Sequence, residues 1–136
     1  MSAFLLDTNA WVAYLRQKEP ALLARVGATP PDEIKLCSVV VSELVFGAYR
    51  SPPAYKAGNL ALVDGLRARF ASLPLDDAAA GANARIRADL AAKGTPIGPF
   101  DSLIAAIALA NGLTVVTHNT REFSRVVGLQ LEDWQV

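Results

Sequence analysis

The stretch PFDSLIAAIALANGLTVVTHN, residues 99–119, decides the fold. Eight apolar residues run without a break from Leu103 to Ala110. A helix over 100–111 would therefore be apolar nearly all round, which suits burial on most sides. Gly112 fits its C-terminal cap. Residues 113–117 then read as a short buried strand that opens at once into the polar trio Thr117, His118 and Asn119.

Working outward, the same grammar recurs. Residues 3–6 form an apolar run that ends in Asp7-Thr8-Asn9, where Thr8 or Asn9 suits the N-cap of a helix over 10–17. Pro20 opens a second helix that closes near Gly27. Residues 34–37 give another short strand, and Ser38 can cap a helix to about Tyr49 that Ser51-Pro52-Pro53 stops. A helical pattern follows over 55–72, then a strand over 73–75, then an alanine-rich helix that Asp76 or Asp77 caps and that reaches Lys93. One helical turn over 121–124 and an edge strand over 129–131 complete the chain. Strands alternate with helices throughout, so the expectation is an α/β fold, with a mainly parallel central sheet. Its 136 residues suit one domain, and no repeat or linker divides them.

Composition narrows the function. The chain is 52% hydrophobic and 19% charged, which excludes intrinsic disorder and hints at apolar surface left over for a partner or a second copy. Thirteen basic residues balance thirteen acidic ones, so the basic footprint of non-specific nucleic-acid binding is absent and any such role needs a local site. One cysteine, Cys37, precludes an internal disulfide and suits a reducing, cytoplasmic compartment. The apolar runs are far shorter than the roughly 18 residues of a membrane span, and the N-terminus lacks the basic start of a signal peptide.

Ligands of open α/β sheets bind just beyond the carboxyl ends of the strands. Asp7 follows the first strand, and Thr117, His118 and Asn119 follow the one at 113–117. Asp101 sits in the first turn of the buried helix, and Glu43 lies early in the helix after the second strand. Each carboxylate has a bland reading: Asp7 as a helix cap, Asp101 as a first-turn acid favoured by the helix dipole, Glu43 as a solvated face. Together, next to such apolar flanks, they would repel one another and suffer desolvation. A hard divalent cation relieves both costs. There is no glycine-rich phosphate loop or dinucleotide fingerprint, no nucleophile elbow, and only one histidine, His118, so paired-histidine zinc sites are excluded.

Four segments, LLDTNAW from Leu5, SVVVSELVFGA from Ser38, IGPFDSLIAAIALANGLTVVTHNTREF from Ile97 and LEDW from Leu131, resemble PIN-domain ribonucleases, and among them the VapC toxins of toxin–antitoxin pairs. The resemblance is weakest over 54–93. It implies a PIN-like three-layer α/β/α sandwich as a single domain over 1–136. It implies an RNA-cleaving site that binds Mg²⁺ or Mn²⁺ through Asp7, Glu43 and Asp101, with Thr8, Asn9 and Thr117 orienting them. Many family members carry a fourth acid where this chain has Asn119; Glu122 is the nearest substitute. The absent charge keeps a second reading open, a catalytically silent PIN-like interaction module. The resemblance also implies a homodimer and a VapB-type antitoxin. Candidate docking residues are Trp11, Tyr14, Phe46 and the stripe Leu60, Val63, Leu66 and Phe70, while Arg67, Arg69, Arg85, Arg87 and Arg121 are candidates for RNA-backbone contacts.

Overall fold

A computed structural model describes residues 3–136. Its strands are short: β1 (Phe4–Leu6), β2 (Ile34–Cys37), β3 (Ala71–Leu73), β4 (Thr114–Val116) and β5 (Leu131–Glu132). The helices are α1 (Thr8–Arg16), α2 (Pro20–Ala28), α3 (Ser38–Arg50), α4 (Pro53–Arg69), α5 (Asp77–Ala92), α6 (Pro99–Asn111) and the single turn α7 (Thr120–Phe123). A 3₁₀ turn, Pro31–Glu33, leads into β2.

The strands form one sheet in the order β3-β2-β1-β4-β5, and every pairing is parallel. Parallel neighbours require crossovers, and helices supply them, so the sheet is covered by helices as the fold expectation holds. The central strand β1 comes first in the chain. From it the chain builds outward on one side through β2 and β3, and later on the other through β4 and β5. The order thus reverses between β1 and β4, and a crevice opens beyond the carboxyl ends of those two strands.

The core explains why such short strands suffice. Leu5, Leu6, Ile34, Leu36, Val115 and Val116 of the sheet are buried, as are Ile104 through Ala108 of α6. The expected all-round apolar helix is therefore seated in the core. Gly112 ends it in the left-handed region (φ 65°), which a glycine adopts without strain. Trp134 closes the far edge: its ring meets Phe4 edge-on at 5.0 Å, Arg25 lies over it at 4.7 Å, and its indole N–H donates to Glu132.

Several sequence expectations need correction. Asp7, not Thr8 or Asn9, is the N-cap of α1. Ser38 is the first residue of α3 rather than its cap; its hydroxyl instead accepts from the Leu75 N–H. The helix expected over 55–72 stops at Arg69, and β3 begins two residues before the strand expected at 73–75. Phe70 ends the helix because its side chain is drawn into the core beside Trp11, at 5.0 Å. The edge strand behind it exposes Ala71 and Ser72 and so carries no hydrophobic signal. The last strand is β5, two residues after the start expected at Leu129. Trp11, Val63, Leu66 and Phe70, read as docking residues, are buried and belong to the core.

Candidate active site

At the crevice, β1 delivers Asp7 and β4 delivers Thr117. The Asp7 N–H donates to the Val116 carbonyl, and the Thr117 N–H donates to the Glu132 carbonyl, so both residues continue the sheet ladder by one step. The Asp7 side chain is almost fully buried, at 3% exposure. One carboxylate oxygen accepts from the Ala10 N–H at 2.8 Å, which caps α1, and the other accepts from the Thr117 hydroxyl at 2.6 Å. One carboxylate therefore both caps α1 and holds Thr117, through different oxygens. Thr117, itself 1% exposed, is held in turn by the Asn119 N–H at 2.9 Å.

Glu43 projects from the second turn of α3. The Thr8 hydroxyl donates to its carboxylate, tying α3 to the start of α1. Asp101 enters from the first turn of α6. Thr8, Asn9, Glu43, Gly98, Pro99, Phe100 and Asp101 line one cleft of about 230 Å³. No lysine or arginine is among them. Asn119 and Glu122 approach from beyond β4: the Asn119 amide donates to the Glu122 carboxylate at 2.9 Å. Glu122 is half-buried, as is Asn119, so it is not the solvent-facing residue its place on a helical turn suggests.

The electrostatics identify what the cleft lacks. Burial pushes the Asp7 carboxyl above its ordinary range, and the charges of Glu43 and Asp133 push it further, against the hydrogen bonds from Thr117 and Ala10. Asp101 is raised to about 6, first by burial and then by Asp7, Glu122 and Glu43. The fold thus sets Glu43 and Asp101 in the cleft wall, with the charges of buried Asp7 and of Glu122 reaching Asp101 from beside it, and offers no cation among the lining side chains. All the donors are oxygens, the donor set of a hard divalent ion. Among the described residues, no three His, Cys, Asp or Glu side chains converge tightly enough to cage an ion. An ion held by few side chains and several waters suits that arrangement.

The structure brings Asp7, Thr8, Glu43 and Asp101 together, with Asn9 at the rim and Thr117, Asn119 and Glu122 behind. His118 turns outward and pairs with Asp133 at 2.9 Å. Two residues at the site escaped the sequence reading. Asp133, whose charge reaches Asp7, is the first residue past β5; placing that strand at 129–131 hid it. Phe100, 54% exposed, stands on the cleft wall beside Asp101. The exposed Phe of an otherwise buried apolar helix was its available signal. Cys37, at the end of β2, is buried and its thiol pushed up by desolvation, which leaves it unreactive.

Comparison with known proteins supplies the family. The PIN domain family matches residues 4–129. The chain is 42% identical over 136 residues to the tRNA(fMet)-specific endonuclease VapC of Shigella flexneri, covering 98% of this chain and 99% of that one. It is 40% identical over 134 residues to the protein of the same name in Salmonella typhimurium, with the same coverage. The crystal structure of DNA-bound VapBC from Salmonella typhimurium superposes with a TM-score of 0.91 at 40% identity, over 98% of this chain and 99% of that one. VapBC2 from Rickettsia felis, bound to a DNA fragment from its promoter, superposes with a TM-score of 0.89 at 28% identity, over 97% of this chain and 98% of that one. Matched along nearly its whole length by these proteins in sequence and in fold, the chain belongs to the VapC family of PIN-domain ribonucleases.

Proposed function

We propose that the protein is the toxin component of a toxin–antitoxin pair, a Mg²⁺- or Mn²⁺-dependent endoribonuclease formed by a single domain over residues 1–136. The observation that carries this reading is the gathering of three carboxylates within electrostatic reach of one another, Glu43 and Asp101 on a cleft whose lining contains no cation and Asp7 buried beside it. Asp7 and Asp101, with Glu43, are the residues that would hold the ion. When bound, it polarises the scissile phosphodiester and offsets its charge.

The remaining tasks fall to the chain itself. Thr117 and Ala10 fix both Asp7 oxygens, so the carboxylate keeps its direction as substrate enters. Thr8 fixes Glu43, which can accept the proton of an attacking water. Glu122 brings the fourth negative charge that Asn119 lacks, and the Asn119 amide orients it. That pairing favours the enzyme over the catalytically silent interaction module. Similarity to the Shigella and Salmonella proteins points to a transfer RNA substrate, the initiator tRNA first among candidates. A single-stranded loop suits the site, since its bases can be splayed out and read.

The partner is a VapB-type antitoxin, as in the VapBC complexes. Its seat is the groove between α1, α3 and α4, lined by Val12, Leu15, Leu44 and Leu62 and reaching Glu43 at one end. Phe46, Tyr49 and Tyr55 extend apolar surface beside it, exposed by 59% to 65%. The active unit is a homodimer in the cytoplasm, a reducing compartment that suits the single cysteine Cys37.

The test incubates purified protein with total RNA and with isolated initiator tRNA, in Mg²⁺ or in EDTA, beside Asp101→Asn. Discrete fragments that vanish in EDTA and in the variant establish the reading. Intact RNA from the folded, antitoxin-free protein in both Mg²⁺ and Mn²⁺ refutes it.

A further inference from the structure

A second hollow, larger than the acidic cleft, opens beside it. It lies at the turn between α5 and α6, holds about 500 Å³, and is lined chiefly by Arg87, Leu90, Ala91, Pro96, Ile97 and Pro99. Pro99 also lines the acidic cleft, so the two openings share a wall, with Asp101 two residues further along α6. The hollow differs from its neighbour in charge. Its one charged lining side chain is a cation, Arg87, which is exposed on α5 and enters none of the salt bridges among the described residues. Its floor is aliphatic.

The hollow is also well braced. Ser102 on its wall donates to Asn83 at 2.6 Å, locking α5 against α6. The Arg125 guanidinium donates to the Pro96 carbonyl at 3.1 Å, pinning the connecting turn. A preformed apolar recess with one placed polar group is the usual form of a small-ligand subsite. A flat base fits the aliphatic floor, and a guanidinium at the rim fits a phosphate. The acidic cleft alone repels a polyanion. A substrate strand crossing it therefore needs a cationic anchor next door.

We propose that this hollow is a nucleotide subsite: it receives the base of a nucleotide flanking the scissile bond, with Arg87 on that nucleotide's phosphate. The proposal deepens the ribonuclease reading and rests on it. Arg87 here is a positioning residue, remote from the reacting atoms.

Two measurements test it. In the first, adenosine 5′-monophosphate is titrated into the metal-free protein in EDTA and followed by backbone amide shifts. Shifts centred on Arg87, Ala91 and Ile97, lost in Arg87→Ala, are expected; shifts absent or spread elsewhere overturn the subsite. In the second, RNA cleavage is measured over a range of salt. Arg87→Ala should raise KM about tenfold, the worth of one charge-assisted contact, with kcat nearly kept. The slope of log KM against log salt should shrink by about 0.7, the share of one single-strand phosphate. Ala91→Phe, which fills the hollow without touching charge, should raise KM and leave the slope intact. Both variants should melt near the wild type. An unchanged KM and slope in Arg87→Ala, from an enzyme that still cuts RNA, overturns the proposal and spares the ribonuclease reading. Nucleotide binding with unchanged RNA kinetics assigns the hollow to a free nucleotide and also overturns it. A wild type that cuts no RNA fails the ribonuclease reading and overturns the subsite as a substrate anchor, whatever the titration shows.

Discussion

Replacing Asp7 with asparagine should make the metal-free protein more stable while abolishing cleavage. Asparagine caps a helix as well as aspartate does, so the Ala10 N–H keeps its acceptor. The amide then faces Thr117, whose hydroxyl oxygen can accept from it as well as from Asn119. What disappears is a charge at 3% exposure, repelled by Glu43 and Asp133. Removing a buried, repelled charge while keeping the cap, with the Thr117 bond reversed in direction, should stabilise by about 1–3 kcal/mol. For a chain of this size that is a rise in Tm of about 4 °C per kcal/mol. A divalent cation should then reverse the order: at a hundred times its Kd it adds about 2.7 kcal/mol to the wild type and little to the variant. The assay is thermal denaturation of both proteins in EDTA and again in Mg²⁺ or Mn²⁺. If Asp7→Asn melts below the wild type in EDTA, the carboxylate serves the fold rather than an ion, and the argument from repulsion fails.

Thr117→Val removes the donor to Asp7 and the acceptor for Asn119, so stability should fall by about 2 kcal/mol near neutral pH and by less in acid, where Asp7 is neutral; urea midpoints with an unchanged m-value would show it. Asp101 binds its proton more tightly folded, at about 6 against 3.8 for the free side chain, so in EDTA it contributes a loss of stability as pH rises from about 4 to about 6. The stability difference between wild type and Asp101→Asn over that range isolates the effect, and saturating Mg²⁺ should flatten it. Cleavage should rise with pH through about 6 as Asp101 becomes available to the ion, and a flat rate from pH 5 to 8 would contradict that. Trp11→Ala empties the contact with Phe70 and should cost about 3–5 kcal/mol without altering the site chemistry, which denaturation and residual specific activity would separate.

The parts legible in the sequence were those with a one-dimensional signature. The all-apolar α6, its Gly112 cap and the carboxylates flanking apolar runs are local patterns: the helix and its cap stand where they are expected, and the carboxylates lie at one end of the sheet. What stayed hidden depends on neighbours distant in sequence. β3 is an exposed edge whose Ala71 and Ser72 alternate nothing, and its pairing with Lys35 and Leu36 exists only once β2 is in place. In the sequence, capping and a place in the acidic cluster stand as alternatives for Asp7. The structure joins them, because the capped N–H and the Thr117 hydroxyl take different oxygens of one carboxylate. Asp133 obeys the same strand-end rule as Asp7 but was lost to a two-residue shift in β5. The exposure of Phe46 beside the burial of Trp11 was beyond periodicity alone, since both sit on amphipathic helices and only the packing of α4 and the sheet separates them.

The central strand is also the first one synthesised, and this sets when the site can exist. Asp7 leaves the ribosome 110 residues before the threonine that holds it. β1 gains its second neighbour only with β4, and β4 gains its own only when Leu131 and Glu132 have been made. A growing chain therefore carries the acidic residues without the scaffold that gathers them. Long-range parallel pairing of this kind forms late. Cleavage therefore waits on the strands made last, and no intermediate that lacks β4 and β5 can assemble the site.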